Sequence, residues 1–143
     1  MRDVRCHVES VIKVEAYREY LETLISRYVD ADLVLAESKA EIGGKLGRGN
    51  WAVPGKKAQI ILPKEISEED AENCLLALAI RGQINNRPEL CADADSVKDG
   101  RQFLTHLTLH EIAHVKNRWG QDCELDCDVW AHKEMVKIDK GDT

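Results

Sequence analysis

The chain carries His110-Glu111-Ile112-Ala113-His114 inside a strongly apolar segment that runs from Gln102 to about Trp119. Apolar side chains recur there at helical spacing and cover much of the circumference, which predicts a largely buried helix. They are Phe103, Leu104, Leu107, Leu109, Ile112, Ala113 and Val115. An H-E-x-x-H pattern is informative in such a helical context, and much less so outside one.

The spacing of the two histidines predicts a metal site. Residues i and i+4 share one face of a helix, so both imidazoles of His110 and His114 can reach one Zn²⁺ at about 2.0–2.1 Å. Zinc lowers the pKa of a bound water to near 7, and an adjacent carboxylate can take its proton as the water attacks a carbonyl. We therefore interpret Glu111 as the general base of a zinc-dependent hydrolase. A helical glutamate between two packed histidines is the plainer alternative.

A catalytic zinc needs a third protein ligand and an open fourth position, and the chain offers donors shortly after His114. Glu124 and Asp128 lie four residues apart on a predicted helix, so Glu124 can bind the ion while Asp128 accepts the free imidazole N–H of a ligand histidine. Other donors remain open as the third ligand: Asp122, Asp126, Asp128, Cys123 and Cys127.

H-E-x-x-H followed by E-x-x-x-D on a second helix resembles the gluzincin arrangement of thermolysin-like metallopeptidases. Within that group, residues 108–114 and 124–131 resemble the ImmA/IrrE-type metallopeptidases, whose second motif reads roughly E-x-x-A-[DN]-x-F-A. Cys127 replaces the alanine of that motif and Trp130 replaces the phenylalanine. The link between His114 and Glu124 is shorter than gluzincins usually have.

This resemblance covers about thirty C-terminal residues and implies a zinc metallopeptidase that hydrolyses a protein or peptide substrate, such as a transcriptional repressor. It also implies an α+β fold, a minimal zincin-like domain with a small, mainly antiparallel sheet packed on the metal-ligand helices. The strand around Ile60 is expected near the cleft, with an edge that could bind an extended peptide by strand addition.

The same part of the chain allows three other interpretations of the metal site. Cys123 and Cys127 could join the two histidines in a closed Cys₂His₂ site, which predicts a non-catalytic, zinc-stabilised protein-interaction module. His106 extends the histidine stripe, but three ligands from one straight helix span roughly 12 Å, so it is expected to be a packed or rim residue. Metzincins require Gly and His where this chain has Asn117 and Gly120, which excludes that subclass. Candidates for stabilising an oxyanion are Tyr17, Tyr20, Tyr28, Arg118 and His132.

The rest of the chain predicts alternating helices and strands. Helical periodicity predicts helices over about 8–29, 67–81 and 123–138, with Asp122 as a cap for the last and Gly120 ending the helix before it. A strand is expected at 32–36, and Pro54-Gly55 predicts a type II turn joining strands 51–53 and 58–62 in a hairpin. The glycine-dense stretch 43–50 matches no phosphate-binding pattern in register and is interpreted as a loop. Residues 85–100 are expected to form an ordered loop or a short turn of helix.

Composition predicts one ordinary globular domain over residues 1–143. Hydrophobic residues make up 43% and charged residues 32% of the chain, which argues against disorder. Direct nucleic-acid binding is not expected, because the formal net charge is −6 and the basic residues are scattered along the chain. No apolar run is long enough for a signal peptide or a membrane span, and five cysteines without a C-x-x-C pair favour reduced thiols. A cytoplasmic protein is therefore expected.

Overall fold

The described part of the chain begins with a short strand followed by a helix. The computed structural model describes residues 11–141, and in it β1 (Val11–Lys13) leads through a 3₁₀ turn into α1 (Arg18–Ser26). The helix predicted from residue 8 to 29 is therefore too long, and its residues 8–10 lie outside the described ones. Strand pairing explains the difference, because Ile12 is buried opposite Ile66 in an antiparallel ladder with β5 (Glu65–Ser67).

A three-stranded sheet follows α1. It contains β2 (Ala31–Ala36), β3 (Arg48–Asn50) and β4 (Ala58–Pro63), with β4 in the middle. The longest pairing, between β2 and β4, is parallel, whereas β3 pairs with β4 in the antiparallel sense. Two of the three strand pairings among residues 11–141 are therefore antiparallel.

The predicted strand at 32–36 and the predicted hairpin are both found, with one shift. The first hairpin strand pairs over residues 48–50 rather than 51–53, and Val53 forms only an isolated bridge with Lys56 across the turn. Gly55 has a φ of +81°, which suits the third position of a type II turn.

The expectation of a peptide-binding edge at Ile60 is wrong. Ile60 lies in β4, whose two sides are already paired with Leu33 of β2 and Gly49 of β3. A central strand has no unpaired backbone groups left for a ligand, so the free edge on the hairpin side belongs to β3.

Four helices complete the fold: α2 (Glu68–Ile84), α3 (Pro88–Ser96), α4 (Gly100–Asn117) and α5 (Glu124–Asp139). Ser67 caps α2 as predicted, because its hydroxyl accepts a hydrogen bond from the Asp70 amide at 3.1 Å. Residues 88–96 form a full helix where a loop or a single turn was expected. Gly82 of α2 lets α2 and α3 pack closely. A Cβ at this position would lie 2.8 Å from the Arg87 carbonyl oxygen, so a larger residue would push the two helices apart.

Helix α4 lies at the centre of this α+β fold. Every residue from Phe103 to Val115 is buried, including the polar ones. Asp99 caps its N-terminus by accepting from the Gln102 amide at 2.8 Å. At its other end Arg118, not Gly120, leaves the helix in the left-handed conformation, and α5 starts after Cys123 rather than after a capping Asp122. None of the described helices is both long and apolar enough to cross a membrane.

Candidate metal centre

Helix α4 supplies both histidines of the motif. His110 and His114 are 7% exposed, and their ring centroids lie 5.0 Å apart. Burying a polar group costs free energy unless it has a hydrogen-bond partner, so the partners of these two imidazoles matter for the stability of the folded protein.

Glu124, at the start of α5, is the partner that the two imidazoles share. Its Oε2 lies 2.9 Å from Nε2 of His110, and its Oε1 lies 3.0 Å from Nε2 of His114. A left-handed residue at 118 and a 3₁₀ turn over Gln121–Cys123 reverse the chain within a few residues. The short link between the histidines and Glu124 is therefore long enough to bring them together.

Asp128 holds the other nitrogen of His110. Its Oδ1 lies 2.7 Å from His110 Nδ1, and its Oδ2 accepts a hydrogen bond of 2.7 Å from Nε of Arg81 on α2. Asp128 is 1% exposed, so these two contacts compensate an almost fully buried carboxylate. The sequence predicts the contact of Asp128 with a ligand histidine, but no pattern in it points to Arg81.

The backbone orients His114. Its Nδ1 lies 2.6 Å from the carbonyl oxygen of Trp119, and the Trp119 amide in turn donates to the His114 carbonyl at 3.1 Å. A ring nitrogen facing a carbonyl oxygen must carry the proton, which leaves Nε2 directed at Glu124. Sequence patterns do not reveal this contact, because it involves a main-chain atom whose position depends on the left-handed Arg118.

These contacts shift the proton affinities of the group. Burial opposes a charged His110, but hydrogen bonds to Asp128 and Glu124 raise its pKa to about 10. Burial likewise opposes a charged Glu124, yet the two histidines hold its pKa well below the ordinary value. The pKa of Asp128 is also lowered, since His110 and Arg81 outweigh its burial. The cluster is thus a set of mutually compensating charges.

Glu111 lies on the neighbouring face of α4 against the glycine-dense stretch. A Cβ on Gly47 would be 2.8 Å from Glu111 Oε2, and a Cβ on Gly49 would be 2.6 Å from the Glu111 carbonyl oxygen. Glu111 forms no side-chain hydrogen bond with another described residue, and burial raises its pKa against the effect of the two histidines. The stretch interpreted as a plain loop thus lets β3 pack closely on the motif helix.

Two donor sets can hold a metal ion. The ligand atoms of His110, His114 and Cys127 all lie within 4.8 Å of one another, and Cys127 is fully buried. Glu124 contacts both Nε2 atoms, and ligands on a tetrahedral ion at 2.0–2.1 Å are roughly 3.3 Å apart. Separations of 2.9 and 3.0 Å need little adjustment to match that value. The group can therefore hold a metal ion, with Glu124 and Cys127 both within reach.

The motif residues line a cavity of about 900 Å³. Glu111, His110, His114, Glu124 and Asp128 share it with apolar side chains of α2 and α4 and with the turn between β3 and β4. His106 also lines it, with its Nε2 buried and unpaired among the described residues. Burial lowers the pKa of His106 to about 4, so this imidazole is neutral at pH 7.

The five residues named as oxyanion candidates do not line this cavity. Tyr20 hydrogen-bonds Thr105, Tyr28 donates to Glu134, and His132 contacts Asp93, so these three have structural partners. His106, expected from the sequence to be a packed or rim residue, does line the cavity.

Comparison of the chain with protein-family models, curated proteins and solved structures found no match.

Proposed function

We propose that the protein is a zinc-dependent metallopeptidase with its site on α4 and α5. One observation carries the proposal: the Nε2 atoms of His110 and His114 converge on the Glu124 carboxylate while Glu111 lines the same cavity. Two nitrogens and one carboxylate oxygen are the ligand set of a His₂Glu catalytic zinc. The resemblance to ImmA/IrrE-type metallopeptidases supports the same assignment.

The donor chemistry fits Zn²⁺ better than a harder cation. Imidazole suits zinc, whereas Mg²⁺ and Ca²⁺ prefer all-oxygen sites, and each histidine already has its second nitrogen engaged elsewhere. When bound, the ion would act as a Lewis acid that polarises the scissile carbonyl and acidifies water.

The remaining chemistry belongs to side chains of this protein. Glu111 accepts the proton of the attacking water and returns it to the leaving amine. Its raised pKa favours this role, because a carboxylate closer to neutral pH exchanges protons in both directions. Asp128 and the Trp119 carbonyl fix the orientation of the two imidazoles, and Arg81 fixes Asp128.

A polypeptide substrate suits the cavity. The free edge of β3 belongs to the same wall, and an extended chain can add to such an edge through backbone hydrogen bonds. We therefore propose a protein substrate, with a transcriptional repressor as the class that the family resemblance suggests.

The variant Glu111→Gln tests the proposal. It should abolish peptide hydrolysis, by at least about 10²-fold for loss of a general base, yet retain zinc and melt at nearly the same temperature. Glu72→Gln is the matched control, since Glu72 is half-buried on α2 but lies outside the cavity. Hydrolysis is followed with a mixed fluorogenic peptide library, and zinc by mass spectrometry. Unchanged hydrolysis in Glu111→Gln would contradict the catalytic role.

The buried thiol of Cys127 favours a second candidate, a zinc-stabilised interaction module without catalysis. A thiolate ligand from Cys127 would fill a coordination position that a hydrolase keeps open. In that case Cys127→Ser should lose zinc and stability together, while Glu111→Gln has no effect on any function. A Cys127→Ser variant that keeps both zinc and hydrolysis argues against the module.

A further inference from the structure

The hairpin wall of the cavity carries an unusual charge. Residues 43–62 contain Lys45, Arg48, Lys56 and Lys57 and no acidic residue, although the chain as a whole has 26 acidic residues and a net charge of −6. We call these four side chains the basic wall. The expectation that the basic residues are scattered is therefore wrong for this segment.

All four residues of the basic wall line the same cavity as the histidines, and all four are exposed. Lys57 is already paired with Asp32 at 3.0 Å and Asp30 at 3.2 Å. Among the described residues, the Arg48 side chain donates only to the neutral Asn50 side chain, at 3.1 Å. Within residues 11–141, Lys45 and Lys56 form no ion pair, so they are available to a ligand.

The acidic groups of the cavity do not cancel this charge. Glu124 is held between two histidines, and Asp128 lies between His110 and Arg81. Both of these carboxylates are compensated, and the third acidic side chain of the cavity, Glu111, is buried near Lys45, whereas the four side chains of the basic wall are exposed. A ligand approaching from solvent therefore meets a positive surface on an otherwise acidic protein.

We propose that the basic wall binds acidic side chains of the substrate polypeptide, so that the protein selects acidic segments. The inference rests on the proposed function only in taking a polypeptide as the ligand. Trp51 and Val53, the latter 47% exposed, line the same wall and offer apolar contact between the charges. A nucleic acid fits less well, because three available cations neutralise few phosphates.

Binding can be measured without turnover in zinc-loaded Glu111→Gln protein. The probe is a fluorescein-labelled decapeptide that alternates Glu and Leu, compared by fluorescence anisotropy with the same peptide carrying Gln for Glu. We expect the acidic peptide to bind about tenfold more tightly, an advantage that shrinks as salt is raised. Adding Lys45→Glu and Lys56→Glu to this protein should remove that advantage.

The matched control adds Lys98→Glu and Lys133→Glu, which change the net charge equally at exposed positions outside the cavity. It should bind the acidic peptide as tightly as the parent. Equal affinity for the two peptides, or equal loss in both double variants, would overturn the inference. So would tighter binding of a single-stranded DNA decamer than of the acidic peptide.

The two proposals fail separately. If the acidic peptide binds through Lys45 and Lys56 but the wild-type protein never cleaves it or any library peptide, the basic wall stands and the peptidase assignment fails. If the library is cleaved without preference for acidic peptides, the peptidase assignment stands and the inference about the basic wall fails.

Discussion

Glu124 and Asp128 are separated by one turn of α5 and contact opposite nitrogens of His110. Glu124 faces the Nε2 atoms that would bind an ion, whereas Asp128 faces an Nδ1 atom that would not. Removing either carboxylate should therefore weaken the metal site for a different reason, one by losing a ligand and the other by releasing an imidazole.

We expect Glu124→Ala and Asp128→Ala both to lose zinc at lower chelator concentrations than the wild type, by about 10- to 100-fold for the orienting Asp128. His110→Ala is the reference for a lost ligand, and Asp126→Ala, an exposed position on the same helix, is the control. Retained zinc is counted by mass spectrometry after each chelator step. If Glu124→Ala keeps its zinc where His110→Ala has lost it, Glu124 is not the third ligand and Cys127 becomes the leading alternative.

Residue types and spacing revealed only part of this centre. His110, Glu111 and His114 were identified because helical geometry places residues i and i+4 together, and the same rule paired Glu124 with Asp128. Arg81 could not be predicted, because it is 47 residues from Asp128 in the sequence and no local pattern links the two. The role of Gly47 and Gly49 could not be predicted either, because a close approach of strand and helix backbones leaves no pattern in the sequence.

Strand β3 and helix α4 approach each other through glycine. A Cβ added at Gly49 would meet the Glu111 carbonyl oxygen and the His114 Cβ, which are fixed parts of the helix, and the Val115 side chain. The three atoms nearest to a Cβ added at Gly47 all belong to the Glu111 side chain. The two positions therefore separate packing from positioning of the carboxylate.

Gly49→Ala should destabilise the protein by about 1–3 kcal/mol, because the strand must move away from the helix. Gly47→Ala should cost less stability but displace the Glu111 carboxylate, so hydrolysis falls while the free energy of unfolding changes little. Urea unfolding and the peptide assay measure the two effects. A Gly49→Ala protein as stable as the wild type would show that this contact is looser than the structure places it.

The end of α1 is joined to α5 by a titratable contact. The Tyr28 hydroxyl donates to Glu134 Oε1 at 3.0 Å, and the Tyr28 ring packs edge-on against Trp130. Burial, together with the bond to Glu134, raises the pKa of Tyr28 from 10.0 to about 12. The neutral phenol is thus favoured in the folded protein.

This contact should make stability depend on pH in one window. Because the folded-state pKa is raised, its contribution is fully present below pH 10 and is lost as pH rises towards 12. The difference in unfolding free energy between the wild type and Tyr28→Phe should therefore shrink from pH 9.5 to about 12. Urea titrations at several pH values measure it, and a difference that stays constant would contradict the raised pKa.

Periodicity predicted α2, α4 and α5 within a few residues, because long amphipathic or apolar runs leave a clear pattern. It misassigned residues 11–13, since three residues of strand fit a helical spacing equally well and only the pairing with β5 decides. Helix α3 was underestimated because Leu90 and Ala94 are its only fully buried apolar side chains, too few to establish a period.

One buried core connects the described chain from Ile12 to Ala131. Its members come from all five described helices and from strands of both described sheets, and α4 packs against strands and helices alike. A core of this kind predicts that the protein unfolds as a single cooperative unit, in keeping with one domain.

Leu21→Ala tests this cooperativity from a helix far from the metal centre in sequence. Leu21 is fully buried, so its truncation should cost about 2–5 kcal/mol, whereas Leu76→Ala, at a 51% exposed position, should cost under about 0.5 kcal/mol. Far-ultraviolet circular dichroism and tryptophan fluorescence should report one shared urea midpoint in each variant. Separate midpoints for the two signals would indicate two folding units instead.

The left-handed Arg118 also bears on the order in which the protein folds. By reversing the chain there, it brings Glu124 and Asp128 to His110 over separations of only 14 and 18 residues. The contact of Gly49 with α4 and the pairing of β1 with β5 close much longer loops, which form more slowly. The helical hairpin with its histidines and carboxylates should therefore assemble early, and the strand wall that completes the cavity should close over it afterwards.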